Sequence, residues 1–257
     1  MNKKICLLLA LMLPIVLTAQ TLTHNWSEKT AYTLAKGKWE TGIFQSFRYG
    51  LNDNIELRTN ALLLPIFPNA GFKITLAEKG GWLLASEHAI SYPTLLLKSL
   101  SFKGTGGILS PEFSYPFMLS LSNDVLASKL VGNNALLTVH AGFSFTLHGQ
   151  NPNYQSSIDY PVLYPRMAHY YQGASLRAGG SFKWQFGEEW SLEENAKFFL
   201  IIRSQDNIFL ENAGTLQWAV GESLRLRGGY NLSWGTYPFG NQLQLCPTID
   251  LVFGSRK

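Results

Sequence analysis

The sequence predicts an all-β protein, a transmembrane antiparallel up-and-down β-barrel of about 12 strands. Three observations predict this fold. Apolar and polar residues alternate with a period of two along most of the chain after residue 37. The alternating segments are about 10 to 18 residues long, whereas strands of globular proteins average about 5 or 6 residues. Short turn sequences and longer loops follow one another along the chain, which is the pattern of outer-membrane barrels.

The first 20 residues, MNKKICLLLALMLPIVLTAQ, have the layout of a secretory signal peptide. Two lysines precede an apolar run of about 13 residues, which is too short for a membrane-spanning helix of about 20. We expect cleavage after Ala19. Residues 1–19 are then the signal peptide, 20–37 an N-terminal segment with a candidate first strand, and 38–257 the barrel.

The charge balance argues against a nucleic-acid partner. The chain has 21 Lys and Arg against 17 Asp and Glu, a formal charge of +4, and removal of Lys3 and Lys4 with the signal peptide lowers it to +2. Binding to nucleic acid depends on neutralising many phosphates, and this charge is too small for that. Cys246 is the one cysteine left after cleavage, so no intramolecular disulfide is expected.

The first strands are defined mainly by the turns between them. The turn sequences LNDN and EKGG divide this part of the chain into strand pairs. The alternation is weakest over 93–131, where Pro93, Pro111 and Pro116 interrupt it. The strands predicted here are 38–49, 54–63, 69–78, 82–92 and 115–129.

The later strands have the clearest alternation. Between Ala135 and Leu147, for example, apolar residues alternate with Thr138, His140 and Ser144. Pro247 interrupts the last strand and is expected to mark a bulge. The strands predicted here are 134–148, 169–186, 191–203, 208–220, 223–235 and 242–253.

These eleven strands require a twelfth, because single-chain bacterial barrels have even numbers of strands. The candidates are 107–114 and a segment within 21–34. Placing the Leu51–Asn54 turn in the periplasm favours a strand before residue 38. Totals of 10 or 14 strands remain open.

The apolar face predicts contact with outer-membrane lipid. A closed sheet pairs every backbone group, as the bilayer requires, and the terminal strand 242–253 closes it and is expected to engage the barrel-assembly machinery. A soluble β-sandwich or lipocalin-like barrel would show the same alternation, but the strand lengths and aromatic positions favour the membrane. The aromatic residues expected at the lipid–water interface are Trp39, Trp184, Phe186, Trp190, Trp234 and Phe253.

Residues 39–57, WETGIFQSFRYGLNDNIEL, resemble a strand, Tyr-Gly-Leu turn and strand unit. This unit is common in small bacterial outer-membrane barrels described as transporter-like or hypothetical proteins. The flanking sequences LAKGK (34–38) and PNAGFK (68–73) fit the same family. The Ala19-Gln20 cleavage site and the terminal strand are similar to those of Bacteroidota members. The resemblance implies a barrel in the cell outer membrane and carries no catalytic motif.

The polar face is predicted to line the lumen, and it is more basic than acidic. A basic lumen favours anionic solutes by the logic of charged rings in pores. The alternative is a narrow barrel whose interior charges pair with one another and plug it. The predicted basic strip is Arg58, Lys73, Arg177, Lys183, Lys197, Arg203, Arg225 and Arg227, and the predicted lumen acids are Glu56 and Asp250.

The leading functional hypothesis is a passive channel or binding barrel for small, anionic solutes. The alternative is a closed structural or adhesion barrel that acts through external loops such as 149–168. A lipid-modifying enzyme is a third hypothesis, but His140 and Ser144 are about 13 Å apart along their strand. The histidines show no metal-ligand spacing. We therefore expect no enzymatic activity, no cofactor and no metal.

Overall fold

The predicted fold class is confirmed, because the protein is a closed antiparallel barrel of 12 strands. The computed structural model describes residues 28–103, 108–109, 111–150, 158, 160–202 and 208–255. Each strand pairs with its neighbours in the chain, and β1 pairs with β12. The strands are β1 Trp39–Gly42, β2 Phe47–Asn52, β3 Ile55–Thr59, β4 Asn69–Lys79, β5 Trp82–Ser91, β6 Met118–Val131, β7 Ala135–His148, β8 Ala174–Phe186, β9 Trp190–Ile201, β10 Ile208–Val220, β11 Leu224–Tyr237 and β12 Gly240–Gly254.

Two short helices lie in the connections. Helix α1, Thr94–Leu100, follows β5, and helix α2, Tyr164–Gln172, precedes β8. A proline in its first turn favours α2, and Gly173 ends it with a φ of 97° that suits glycine. The predicted strand 169–186 is therefore wrong over 169–172. No described helix is long and apolar enough to cross a membrane.

The twelfth strand arises by a division of the predicted strand 38–49 into β1 and β2. Residues 43–46 form the turn between them, and Asp250 stabilises it. Its Oδ1 accepts hydrogen bonds from the backbone N–H groups of Ile43 (2.9 Å) and Phe44 (3.1 Å). The number of strands was predicted correctly, but the turn was missed because its partner lies some 200 residues later in the chain.

Neither predicted location for the twelfth strand forms one in the described residues. Residues 28–37 are turns and irregular backbone, and 20–27 lie outside the described part of the chain. Within 107–114, the described residues hold only an isolated bridge from Leu109 to Ser101. Residues 61–63, predicted at the end of a strand, form a 3-10 turn before Pro65.

The two ends of the barrel differ. The turns after β2, β4, β6, β8 and β10 are short, and we call this the turn end; both Trp39 and Gly254 lie there. The connections after β3, β5, β7 and β9 are longer, and we call the opposite end the loop end. In bacterial outer-membrane barrels the short turns face the periplasm.

The barrel wall is formed by short strands over β1–β3. Strand β1 pairs with β12 only from Val252 to Gly254. The remainder of β12, residues 240–250, pairs with β11 on one side and with no described strand on the other. We call these residues the free edge of β12. Pro247 lies in it, in unbroken register with Tyr230, so the predicted bulge is wrong and the proline is tolerated because it sits on an edge.

Candidate functional site

Residues 28–37, which we call the inner segment, cross the lumen near the turn end. The backbone N–H of Ala31 donates to Ser128 Oγ on β6 at 2.9 Å, and Thr30, Ala31 and Leu34 are buried. Lys73 Nζ on β4 donates to the carbonyl oxygen of Thr30 at 3.2 Å. The inner segment therefore bonds to strands on several sides of the barrel, and it occupies this half of the lumen.

Close approach to β2 fastens the other end of the inner segment. The N–H of Gly37 donates to the carbonyl of Gly50 at 2.8 Å, and the N–H of Gly50 donates to the carbonyl of Lys38 at 2.9 Å. A Cβ on Gly50 would collide with the carbonyl oxygens of Leu34 and Ala35. Only glycine at position 50 allows this packing.

Buried ion pairs hold the wall around the inner segment. Glu56 Oε2 accepts the N–H of Leu34 at 2.9 Å, while its Oε1 lies 3.5 Å from Lys73 Nζ and 3.8 Å from Arg48 Nη1. Glu40 pairs with Arg48 and, at 2.8 Å, with Arg225. Glu56 is thus a structural anchor of the inner segment.

The loop end of the lumen is filled by an apolar cluster built on α2. Tyr164 of α2 is fully buried, with ring centroids 5.3 Å from Phe209 and 5.7 Å from Tyr237. The hydroxyl of Tyr237 also donates to the carbonyl of Pro161 at 3.3 Å. Both ends of the lumen are therefore occupied in this structure.

Two cavities lie between the inner segment and α2. The first has a volume of about 370 Å³ and is bounded by β3–β9 and α2. The second has about 490 Å³ and is bounded by β9–β12 and the turn after β1. Lys29, Arg166 and Lys197 line both of them. These three cations mark the candidate functional site.

The first cavity is lined by five cationic side chains and two carboxylates, and the second by four of each, but these charges are unequally paired among the described residues. Arg166 Nη2 donates to Glu211 Oε1 at 2.5 Å. Lys197 stands opposite Glu211 in the β9–β10 register, but neither Lys197 nor Lys29 forms an ion pair with a described residue. The other carboxylates that line the second cavity are engaged by other groups, Glu28 by Arg227, Glu193 by Lys183 and Asp250 by backbone N–H groups. The two lysines therefore favour an anion in the cavities.

Lys29 also has an unusual backbone conformation. Among the described residues other than glycine, it alone has a positive φ, 56°. This left-handed conformation costs an ordinary residue about 1 kcal/mol or more. The adjacent Glu28 is fixed in the lumen, because its Oε2 accepts from Arg227 Nη1 at 2.5 Å. Burial would raise the pKa of Glu28, but Arg227 and nearby cations hold it well below its usual value.

Two histidines line the first cavity with unpaired nitrogens. The Nε2 atoms of His140 and His169 are buried and have no hydrogen-bond partner among the described residues. Burial in α2 lowers the pKa of His169 to about 3, so this ring is neutral at neutral pH. A neutral ring can accept from, or donate to, a ligand without adding charge.

Most of the predicted basic strip is engaged in ion pairs. Besides Lys73 and Arg225, Arg58 pairs with Glu87 and Arg177 with Asp124. Lys183 Nζ lies 3.3 Å from Glu193. Arg227 bonds Glu28 and also donates to Gln45 and Gln217. Lys197 is the exception among the described members, and Arg203 lies outside the described residues.

The predicted lumen acids have local roles. Glu56 anchors the inner segment, and Asp250 stabilises the turn after β1. Sequence reasoning missed Lys29, Arg166, Asp124 and Glu211. Asp124 was detectable, since it alternates with the apolar residues of β6, but Lys29 and Arg166 lie outside strands, where alternation carries no signal.

The predicted interfacial aromatics lie near strand ends, five of the six at the turn end. Trp190 stacks on Trp218 with ring centroids 5.6 Å apart, and Trp184 lies 5.2 Å from Phe186. Trp234 lies towards the loop end of β11. Their role at a lipid interface stays a prediction. The members at the turn end are Trp39, Trp184, Phe186, Trp190 and Phe253.

Ser144, the residue paired with His140 in the enzyme hypothesis, contacts other groups. Its Oγ accepts from Arg177 Nη1 at 2.5 Å and lies 2.6 Å from Ser122 Oγ. In the described ranges, no group of three His, Cys, Asp or Glu side chains is arranged to hold a metal ion.

No protein-family model matches the sequence, and no curated protein matches it. Among solved structures, OmpT, an outer membrane protein of Vibrio cholerae, is similar at 10% identity over 82% of this chain and 63% of its own, with a TM-score of 0.44. The NanC porin is similar at 11% identity over 86% and 98% of the two chains (TM-score 0.38), and OprD of Pseudomonas aeruginosa at 11% over 88% and 62% (TM-score 0.40).

These similar structures are outer-membrane proteins. This chain spans less than two thirds of the length of OmpT and OprD. Because all three TM-scores are below 0.5, the likeness carries no argument about what this chain does.

Proposed function

We propose that the protein is an outer-membrane barrel that binds a small anionic solute in its internal cavities, and that its lumen is closed to free passage in this conformation. One observation carries the proposal. Lys29, Arg166 and Lys197 line both cavities, and neither lysine forms an ion pair with a described residue. A small anion placed there balances the charge and takes hydrogen bonds from cationic donors.

The occupied lumen distinguishes this function from an open passive channel. The inner segment occupies the turn end and the α2 cluster the loop end. Passage of a solute along the lumen then requires the displacement of both. Of the predicted basic strip, only Lys197 is therefore assigned a role in anion binding. Lys29 and Arg166, which are outside that strip, share this role.

Binding of inorganic phosphate to the folded protein tests the proposal. Isothermal titration should detect phosphate binding, and Lys197→Gln should weaken it about tenfold, since a charge-assisted contact is lost. Lys129→Gln is the matched control, because Lys129 lies over the ring of Trp82, away from both cavities. Equal affinity in Lys197→Gln and Lys129→Gln would contradict the proposal.

Single-channel recording tests the closed lumen. The folded wild-type protein should show little conductance in a planar bilayer. A steady, high conductance without any perturbation would mean that the inner segment and α2 do not block the lumen. A structural or adhesion barrel, the alternative function, predicts neither phosphate binding nor an effect of Lys197→Gln.

A further inference from the structure

In the part of the chain that the structure describes, the barrel wall is incomplete beside the free edge of β12. Ile249 on this edge is 75% exposed, and Phe44 in the turn after β1 is 78% exposed. Apolar residues on strands that are paired on both sides are less exposed; Val139 and Phe182, for example, are both at 45%. The difference arises because β1 ends at Gly42 and no described strand covers the rest of β12.

The second cavity reaches this gap. Its lining includes Lys29 and Lys197 from the lumen, which have no ion pair with a described residue, and also Phe44, Pro247 and Ile249 from the edge. The four carboxylates in this lining are engaged by arginine, lysine or backbone N–H groups; they are Glu28, Glu193, Glu211 and Asp250. Alternation directs Pro247 and Ile249 outwards, because Thr248 between them and Asp250 after Ile249 belong to the inner face. One space is therefore bounded both by interior cations and by apolar residues of the outer surface.

A bilayer demands a polar partner for the unpaired backbone of the free edge. Irregular or unpaired backbone at membrane depth is tolerated where it lines a water-filled cavity, and the second cavity lies beside residues 247–250. Addition of a strand from another protein is disfavoured, because Pro247 has no N–H and interrupts the hydrogen-bonding edge. The free edge therefore favours an occupant that is not a peptide.

We propose that the ligand is a single-chain anionic amphiphile, and that it enters sideways through the gap between the free edge of β12 and the turn after β1. The inference rests on the proposed function, because the charged headgroup occupies the same anion site. The headgroup contacts Lys29 and Lys197 in the second cavity. The tail lies against Phe44 and Ile249 and continues along the apolar outer face of β12.

Three probes separate the headgroup from the tail. Decanoate has an anionic headgroup and a tail, acetate has the headgroup alone, and decyltrimethylammonium has a tail with a cationic headgroup. Their dissociation constants are measured by titration of the folded protein in phosphatidylcholine nanodiscs, with empty nanodiscs as the reference. Decanoate should bind at least tenfold more tightly than acetate. The amount of decyltrimethylammonium bound to nanodiscs that contain the protein should not exceed the amount bound to empty nanodiscs.

Two variants and a matched control assign these contributions. Lys197→Gln should weaken decanoate and acetate by a similar factor, about tenfold. Phe44→Ser/Ile249→Ser should bring decanoate towards the affinity of acetate and leave acetate unchanged. Val139→Ser is the control, because Val139 is an exposed apolar residue in the paired wall of β7. A heat-dependent gel shift verifies folding, and Phe44→Ala replaces the double variant if that fails to fold.

The outcomes separate the two proposals. Equal binding of decanoate and acetate, with Lys197→Gln still weakening both, would retain the anion site and overturn the lateral entry. Absence of binding for every anion would overturn the proposed function as well. If decyltrimethylammonium binds as tightly as decanoate, both compounds only partition into the lipid, and the lateral entry is overturned. A stable dimer that dissociates in Phe44→Ser/Ile249→Ser, without decanoate binding, would assign the gap to a second copy of this chain.

Discussion

Substitution of Glu56 by Gln tests whether buried charge holds the inner segment in the lumen. The amide keeps the size of the side chain and an oxygen that accepts the N–H of Leu34, now at 2.9 Å. The substitution removes the negative charge that lies 3.5 Å from Lys73 Nζ and 3.8 Å from Arg48 Nη1. The change in the free energy of unfolding therefore measures the contribution of the charge, because the packing of the side chain is kept.

The expected loss is about 3 kcal/mol of unfolding free energy. One charge pair at 3.5 Å corresponds to about 5 kcal/mol at an effective dielectric constant of about 20, and removal of one partner of a buried pair costs about 3 to 5 kcal/mol. The lower value applies, because Arg48 keeps Glu40 and Lys73 keeps the carbonyl of Thr30.

Urea unfolding in detergent micelles, followed by the heat-dependent gel shift, measures this loss. Glu222→Gln in the exposed turn after β10 is the matched control and should change stability by less than about 0.5 kcal/mol. Adding Lys73→Met to Glu56→Gln should recover at least half of the loss, because the buried cation that has lost its carboxylate partner is removed. If Glu56→Gln is as stable as Glu222→Gln, or the second substitution recovers nothing, charge pairing does not anchor the inner segment.

Three further predictions concern the two ends of the lumen. Gly50→Val should displace the inner segment and speed tryptic cleavage after Lys36 at least tenfold, because the new side chain meets the carbonyls of Leu34 and Ala35; Gly228→Ala, which faces open space, should not change the rate. Tyr164→Ala should cost about 3 to 5 kcal/mol and, combined with Gly50→Val to displace the inner segment, should produce conductance, whereas the exposed Leu95→Ala should do neither in the same combination; a silent double variant with the stability of Gly50→Val alone would refute the role of α2. Acid should destabilise the α2 cluster: the pKa of His169 is about 3 when folded against 6.5 when unfolded, so the unfolded state binds the proton first and stability falls as the pH drops from about 6.5 towards 3. At pH 4.5 the loss is about 2 to 3 kcal/mol, and a urea series in which His169→Asn shows the same pH dependence as wild type would contradict it.

The fold class was predictable because alternation is a local property. A lipid-facing side chain and a lumen-facing side chain must follow one another on every strand, so strands such as β7 and β11 are evident without any knowledge of their partners. The lumen-facing position of Arg177 or Lys183 follows from the same rule. The division of 38–49 into β1 and β2 was not predictable, because Asp250 from the other end of the chain stabilises the turn.

The candidate site was only partly predictable. Lys197 was identified from alternation. Unlike the other described residues of the basic strip, it has no ion pair with a described residue, and this depends on the positions of the carboxylates in the folded barrel. Arg58 and Lys183 have carboxylates within reach, while Glu211 opposite Lys197 is taken by Arg166 from α2. Helix α2 itself lies in a region where prolines and tyrosines gave no periodicity.

The sequence by itself determined a membrane barrel of about 12 strands with a charged interior, because these properties depend on side-chain alternation and turn residues. Only the tertiary structure decided whether that interior was open. The inner segment and α2 have no local pattern that directs them into the lumen. They lie there because buried ion pairs, the space above Gly50 and an apolar cluster on the far wall stabilise them, and those partners come together only when β1 closes on β12.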